Sequence, residues 1–320
     1  MYQVAPSILF FNMPLLSVII PCYFNEANIP VTATKLLRNE NLFPKDVAFE
    51  YVFVDDGSQD RTFEELLKVK AAHPEKVKLV KLVRNVGSYN AVIAGMEFAT
   101  GDCTVIISAD LQDPPELMVK MLEYWRQGFK LVIGNRQDRQ DPFLKKKIAS
   151  VFHAIMRKTA INNLPKGGFD YIFFDKFIRE EVLKMKESNS NVMYLIAWLG
   201  FEYVSIPYVR LKREIGETRW TFGKNVKLFL DSILSFSYLP IRIIAIMGLL
   251  LGGVALLYGM FLIVAKISGA ALVEGWSSLM VVLLFVSSFQ MIALGVIGEY
   301  VWRALDASRK RPLYLIDKVL

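Results

Sequence analysis

Phe49-Glu50-Tyr51-Val52-Phe53-Val54 runs straight into Asp55-Asp56-Gly57-Ser58-Gln59-Asp60-Arg61-Thr62, and that junction decides the fold. An apolar, β-rich run stops at a pair of carboxylates and gives way at once to a helical segment, Thr62–Ala72. Glu64 and Glu65 stand near the start of that segment, where the helix dipole favours acids. The same unit recurs on both sides. Leu16–Pro21, Val77–Val83, Thr104–Ser108 and Lys130–Gly134 are further runs rich in Val, Ile, Leu and Phe, as strands buried on both faces require. Asn28–Leu37, Ser88–Ala99 and Pro115–Gln127 lie between them with helical spacing. The alternation specifies an α/β domain with a mostly parallel sheet. Ligands bind such sheets at the carboxyl ends of the strands. Polar clusters stand at those ends: Pro21–Glu26, Asp55–Asp60, Arg84–Gly87 and Asp110–Glu116.

A chain of 320 residues has room for one large domain with an appendage, or two modest domains. With 53% hydrophobic residues and a mean hydropathy of +0.34, it is too apolar for an ordinary soluble enzyme. The excess sits near the C-terminus. Ile241–Ala265 is almost unbroken apolar sequence apart from Arg242 at its edge, about 37 Å long as a helix. Ser277–Gly298 is a second such stretch, with Gln290 its most polar member. Lys266 and Glu274 lie between the two, whereas Arg242 stands at the outer edge of the first and Arg303, Arg309, Lys310 and Arg311 lie beyond the second. The positive-inside rule then puts both termini and the α/β domain in the cytoplasm. Gly248 and Gly252 form a small-xxx-small pair, read either as a helix-packing seam of a homo-oligomer or as ordinary span glycines.

The net charge of +7 suits an anionic surface. No nucleic-acid motif occurs and the basic residues crowd beside apolar segments, so lipid headgroups and phosphates are the expected partners and nucleic acid is not. Lys145, Lys146 and Lys147 precede an amphipathic stretch, Ile148–Met156, which reads as a membrane-surface helix or as a solvated helix face. Cys22 and Cys103 read as small core residues, and the separated His73 and His153 offer no zinc site. Ser7–Phe11 lacks a basic leader, so no secretory signal is read there; residues 1–12 are expected to be a disordered extension.

Asp55-Asp56-Gly57-Ser58 supplies carboxylates for a base or ribose, or an Asx-type turn with a helix cap. Asp110-Leu111-Gln112-Asp113-Pro114-Pro115-Glu116 places oxygen donors at a strand end, a set that can hold Mg²⁺ or Mn²⁺ with substrate phosphates but is by itself a weak signal. These clusters, with Ser17-Val18-Ile19-Ile20-Pro21-Cys22-Tyr23-Phe24-Asn25-Glu26, Arg84-Asn85-Val86-Gly87 and Gly101-Asp102, resemble in order and spacing the signatures of family 2 glycosyltransferases, which have the GT-A fold. The Leu-Gln-Asp-Pro-Pro-Glu form and the two spans resemble, more narrowly, the polyisoprenyl-phosphate glycosyltransferases, the group that includes bactoprenol glucosyltransferase and dolichyl-phosphate mannose synthase. Gly295-Val296-Ile297-Gly298-Glu299-Tyr300 and Arg311-Pro312-Leu313-Tyr314 are similar to the bactoprenol branch.

The resemblance implies a Rossmann-like GT-A domain over 13–235, a transmembrane hairpin over 236–303 and a basic cytoplasmic tail over 304–320. It implies that Pro21, Tyr23, Glu26, Asp55 and Asp56 line the nucleotide pocket with Arg84 nearby, and that Asp110 and Gln112 bind Mg²⁺ or Mn²⁺. Arg213, Thr218 and Arg219 match its Arg-x-x-Gly-x-Ser/Thr-basic-aromatic segment and would contact phosphates. Two departures stand out. Ser108 replaces the usual first acid of the metal motif, and Gly167-Gly168-Phe169-Asp170 replaces Gly-Asp-Phe-Arg, which displaces the acid to Asp170, read as a catalytic residue or as a loop acid. The activity so implied is inverting transfer of a sugar from a nucleotide sugar to a polyisoprenyl phosphate at the cytoplasmic face of a bacterial inner membrane. A scaffold impaired by Ser108, and a transferase with another acceptor, are the competing readings.

Overall fold

The computed structural model describes residues 13–137, 154, 156–157, 161, 169–185, 187, 191–211, 223, 231–268 and 275–320. The extension at 1–12, Lys145–Lys147, all but 154 and 156 of the amphipathic stretch, and Gly167 and Gly168 lie outside these residues. Among the described residues, eight strands form one sheet: β1 (Leu15–Cys22), β2 (Ala48–Asp55), β3 (Val77–Leu82), β4 (Cys103–Ile106), β5 (Leu131–Gln137), β6 (Tyr171–Asp175), β7 (Tyr203–Val209) and β8 (Ile316–Val319). Their order is β7-β5-β6-β4-β1-β2-β3-β8. β1 pairs in parallel with β2 and β4, β2 with β3, and β5 with β7. The pairs β4–β6, β5–β6 and β3–β8 are antiparallel. The chain leaves β1 for β2 on one side and returns to β4 on the other, a topological switch point of the kind where α/β sheets bind ligands.

The helices cover both faces. α1 (Ile29–Asn39), α2 (Thr62–Ala72) and α4 (Leu117–Arg126) bury Ile29, Leu36, Leu66, Met118 and Met121 against Val18, Ile20 and Phe53. α3 (Ser88–Phe98), α5 (Lys176–Lys184) and α6 (Val192–Trp198) bury Ala91, Met96, Ile178, Val182 and Ile196 against Ile19, Val52 and Val54. Alternate residues of β1 and β2 thus enter different cores, which is why these strands are apolar nearly throughout, Ser17 and Glu50 apart, rather than alternating. Local chemistry starts the helices. Pro30 occupies the first turn of α1, where no intrahelical N–H is needed. Asp175 caps α5 by accepting from Phe177 N at 2.9 Å, and Asn191 caps α6 by accepting from Met193 N at 2.9 Å.

A buried carboxylate locks the edge of the sheet opposite the strand ends. Glu50 accepts hydrogen bonds from Ser17 Oγ, from Thr100 N at 2.5 Å, from Gly101 N at 3.0 Å and from Lys78 Nζ at 2.7 Å. The turn must come this close because Gly101 N also donates to Ser17 Oγ; a Cβ at Gly101 would stand 2.4 Å from the Leu15 carbonyl oxygen. Burial by itself raises the Glu50 carboxyl, but the Lys78, Ser17 and Thr100 hydrogen bonds outweigh it and hold the group below its ordinary range. A depressed carboxyl adds stability above its unfolded value of about 4.3, and that stability is lost as pH falls through the folded value. Glu50→Gln is therefore expected to cost about 1.5–3 kcal/mol at neutral pH, the scale of hydrogen bonds to a charged group. Thermal unfolding in detergent should show the gap between variant and parent closing as pH falls below about 4. A gap that is flat with pH would mean that the charge is not what holds the turn.

Two long helices follow, α7 (Leu239–Ile267) and α8 (Trp276–Arg309). Leu239–Val264 and Leu279–Arg309 are long and apolar enough to cross a membrane, and the most apolar part of each has no residue buried inside the protein. Leaving such a surface in water would forfeit about 1.5–3 kcal/mol for each large aliphatic side chain, so the hairpin is built for a lipid environment. A Cβ added at Gly248 would meet Phe289 of α8 at 3.9 Å, ordinary van der Waals contact, and one added at Gly252 would meet nothing within 4 Å. The stretch read as a basic tail has defined structure: α8 continues to Arg309, and β8 then joins the sheet edge beside β3.

Candidate active site

The loops after β1 and β2 leave the sheet side by side. Cys22 is in register with Asp55, and Asp56 N donates to Cys22 O at 2.9 Å. The first loop then folds over the second. Phe24 N donates to Ser58 Oγ at 3.0 Å, Asn25 N to Thr62 Oγ1 at 2.7 Å, and Arg61 N to Glu26 Oε2 at 3.0 Å. Phe24 adopts φ 54°, a left-handed conformation that a bulky residue holds only when its surroundings demand it. Its ring meets that of Tyr23 edge-on at 4.7 Å between centroids. Pro21, Tyr23 and Glu26 form a half-buried ledge next to Asp55.

The two carboxylates of the pair have different employments. Asp55 is fully buried; its Oδ1 accepts from Ser58 N at 3.1 Å and its Oδ2 has no hydrogen-bond partner among the described residues. An orphaned buried oxygen is costly unless a ligand N–H or O–H satisfies it. Burial pushes the Asp55 carboxyl up, against the Ser58 hydrogen bonds and Lys81, which pull it down. Asp56 instead clasps the loop after β3. Val86 N donates to its Oδ1 at 2.7 Å, while Gly87 N and Asn85 Nδ2 donate to its Oδ2 at 3.0 Å each. Burial raises the Asp56 carboxyl to about 6 despite those bonds. Gly57, at φ 66°, lets the Arg84 backbone pass close by: a Cβ there would stand 2.6 Å from the Arg84 carbonyl carbon. Arg84 is exposed at the rim.

On the other side of β1, Thr32 Oγ1 donates to Ala109 O at 2.6 Å and steadies the loop after β4. This loop turns at Leu111, whose φ is 46°. Asp110 Oδ1 accepts from Ser108 Oγ at 2.7 Å and from Gln112 N at 3.3 Å. Ser108 therefore orients Asp110 where a second acid was expected. Among the described residues no three His, Cys, Asp or Glu side chains converge on a point that would hold a metal alone. The donor set of Asp110, the Gln112 amide oxygen and the Ser108 hydroxyl is all oxygen with one charge. It fits a hard divalent cation that takes its remaining ligands from substrate phosphates and water.

The same loop is joined to the end of β7. Leu211 N donates to Gln112 O at 2.8 Å, and Gln112 Nε2 donates to Leu211 O at 3.3 Å. Buried Asp113 accepts from Tyr208 Oη at 2.5 Å and lies 3.8 Å from Arg210 Nε. Burial raises the Asp113 carboxyl, opposed by Tyr208 and Arg210. Beyond it, Arg136 at the end of β5 pairs with Asp170 at 2.5 Å, with the guanidinium largely covered and Asp170 half-exposed. Burial acts to lower Arg136, but Asp170, Tyr208 and Asp113 outweigh it and the guanidinium is held as a cation.

The structure thus brings Pro21, Tyr23, Glu26, Asp55, Asp56, Asp110 and Gln112 to one edge, with Arg84 at one rim and Asp170 across the Asp110 loop. Arg213, Thr218 and Arg219 lie outside the described residues. Sequence reading passed over Arg136, Tyr208 and Arg210, and gave Asp113 no role beyond membership of the Asp110–Glu116 cluster. Arg136 had a signal, since it ends a strand as the other polar clusters do. Tyr208 and Arg210 had none, because their partner is nearly a hundred positions away, at |i−j| = 95 for Tyr208 and Asp113.

Residues 17–185 match the model of the family described as glycosyl transferase family 2. The chain is 36% identical over 303 residues to the uncharacterized glycosyltransferase YkcC of Bacillus subtilis, covering 94% of this chain and 93% of that one. It is 34% identical to the prophage bactoprenol glucosyl transferase homolog of Escherichia coli, with 95% and 99% covered. It is 32% identical to the bactoprenol glucosyl transferase of Shigella phage SfX, with 94% and 98% covered.

Proposed function

The chain belongs to glycosyl transferase family 2, and from that premise we propose that it moves a hexose from a nucleotide-sugar donor, a UDP-hexose, to a polyisoprenyl phosphate at the cytoplasmic face of a bacterial inner membrane. The observation that carries this reading is one continuous similarity, across 94–95% of the chain, to proteins named for glucosyl transfer involving bactoprenol. It spans both the strand-end site and the unburied hairpin. A long isoprenoid cannot leave the bilayer cheaply, so the site must come to it.

The donor's base lies on the ledge of Pro21, Tyr23 and Glu26, with the unsatisfied Asp55 Oδ2 accepting from a base N–H or ribose hydroxyl. Asp56 keeps the Arg84–Gly87 loop against the pocket. Mg²⁺ or Mn²⁺ held by Asp110 and Gln112 supplies positive charge to the donor diphosphate. Arg213, Thr218 and Arg219 take the diphosphate oxygens, where guanidinium forks suit the geometry. Asp170, steadied by Arg136, orients a sugar hydroxyl. The bond between the anomeric carbon and the diphosphate oxygen breaks, and its electron pair departs with the nucleoside diphosphate. A lipid phosphate oxygen forms the new bond from the opposite face, which inverts the anomeric centre. A phosphate monoester has its second pKa near about 6, so the acceptor is already ionised and no strong general base is required.

The test uses purified full-length protein in detergent, undecaprenyl phosphate, Mg²⁺ or Mn²⁺, and a panel of radiolabelled nucleotide sugars. Label from one donor is expected in an organic-extractable, acid-labile lipid. Transfer from no donor by folded protein would overturn the reading in favour of a nucleotide-sugar-binding scaffold, with Ser108 as the residue to explain.

A further inference from the structure

Both ends of the hairpin are fastened to the catalytic domain, and the trailing one begins at the carboxyl end of β3. At the leading end, residues 231–236 are helical, and Ile233 and Phe236 pack on the core beneath α3 and α6. Phe236 meets Tyr194 edge-on at 6.0 Å. Arg303 of α8 reaches back to this segment, donating from Nη2 to Asp231 Oδ1 at 2.6 Å and from Nη1 to Ser235 Oγ at 3.1 Å. Glu299 Oε1 accepts from Arg303 Nε at 3.0 Å, and Tyr300 Oη donates to Ser237 O at 2.9 Å.

At the trailing end, Lys310 takes φ 50° and stops α8. Leu313 and Tyr314 then pack on the same core, and Tyr314 Oη donates to Glu97 Oε2 of α3 at 2.6 Å. The chain enters β8 at the carboxyl end of β3, where Val83 N donates to Leu315 O at 2.9 Å, immediately beside Arg84. It leaves at the other end, where Leu79 and Leu320 exchange bonds of 2.8 and 3.0 Å. Lys81 and Asp317 add an ion pair at 3.3 Å.

Membrane retention does not require this second fastening, because the hairpin alone supplies it. Ordering the residues after α8 costs about 1–2 kcal/mol each in backbone entropy, which the ladder bonds to β3 and the packing of Leu313 and Tyr314 offset. A single short link at 237–238 would leave the domain free to swing. Two fastenings, one beside α6 and one at the β3 edge, remove that freedom.

We propose that β8 and the Arg303 anchor form a two-point mount that holds the strand-end site at a fixed height and tilt against the bilayer, so that β8 positions the enzyme for an acceptor presented in the membrane. This rests on the lipid-phosphate reading above. A reacting atom misplaced by about 1 Å costs as much as 10²-fold, and a swinging domain misplaces it by more.

The test inserts Gly-Ser-Gly-Ser between Lys310 and Arg311 in the full chain, reconstituted in nanodiscs of bacterial polar lipid. Transfer from UDP-[¹⁴C]glucose is measured to undecaprenyl phosphate in the disc and to water-soluble geranyl phosphate. The expected result is about a tenfold or greater loss of kcat/KM on the membrane acceptor with the soluble acceptor within about twofold of the parent. Arg303→Gln should give the same split, which guards against an insertion that merely misfolds. Equal loss on both acceptors, or loss on neither, would overturn the mount. Should the parent itself transfer to neither acceptor, the functional reading fails, and the mount is judged by distance alone. For that, Lys120→Cys on α4 carries a dye, since Cys22 and Cys103 are buried, and energy transfer to a lipid-borne acceptor is recorded. Lower and broader transfer in the insertion variant supports the mount, and an unchanged distribution overturns it.

Discussion

Asp110→Ala is expected to lower sugar transfer by about 10³-fold while leaving thermal stability within about 1 kcal/mol of the parent. The two halves of that expectation have separate causes. Asp110 is half-exposed, and its carboxylate accepts from Ser108 Oγ and Gln112 N of its own loop. Ser108 and Gln112 are themselves only half-buried, so water can satisfy them when the carboxylate is gone and the fold has little to lose. The site, however, has only this charge among the Ser108, Asp110 and Gln112 donors with which to share a divalent cation with a diphosphate. Asp113 is nearby but is committed to Tyr208 and Arg210. The check is initial rate against donor concentration at saturating Mn²⁺, alongside a melting curve in detergent. A loss below about tenfold would show that the cation is held elsewhere, with Asp113 the next carboxylate to test.

Gly57→Ala is expected to act in the other direction, on architecture first and donor binding through it. A non-glycine residue at φ 66° costs about 1–2 kcal/mol. The added methyl meets three backbone atoms, Arg84 C at 2.6 Å, Arg84 Cα at 2.8 Å and Asn85 N at 2.8 Å, none of which can swing aside as a side chain would. Overpacking of this kind adds about 1–3 kcal/mol, so a total loss of about 2–5 kcal/mol is expected. The loop that retreats is the one Asp56 clasps, leaving a buried carboxylate without its partners. Thermal unfolding and calorimetric titration with UDP measure the two effects together. Stability within about 0.5 kcal/mol of the parent, with unchanged UDP affinity, would show that the loops do not need this close approach.

Several features were legible before any coordinates because they are local. A strand buried on both faces must be apolar at every position, and a strand end at a ligand edge must turn polar at once. β1 and β2 announce themselves on those grounds despite Ser17 and Glu50, β3 less cleanly because Lys78 and Lys81 interrupt it, and the Asp55 and Asp110 loops by their polarity. The hairpin is legible for a similar reason, since lipid solvates only long apolar runs. Its far end was not: the apolar stretch stops near Gly298, but α8 runs on to Arg309. There the helix is sustained by Arg303 and Tyr300 binding residues of the 231–237 segment, a tertiary cause with no periodic signature.

The sequence alone determined the class of fold, the edge of the sheet where the candidate site sits, the residue types offered there and the presence of two helices long and apolar enough to cross a membrane. These follow from side-chain period and solvent preference, which act within a dozen residues. Only the tertiary structure decided which distant groups share that edge: Asp113 with Tyr208 and Arg210, Arg136 with Asp170, and Asp56 with the loop after β3 rather than with an open pocket. It alone placed β8, whose four residues are all exposed and carry no apolar alternation. A short edge strand of that kind is recruited by the unpaired backbone of β3, and backbone hydrogen-bonding capacity is the one property every sequence shares.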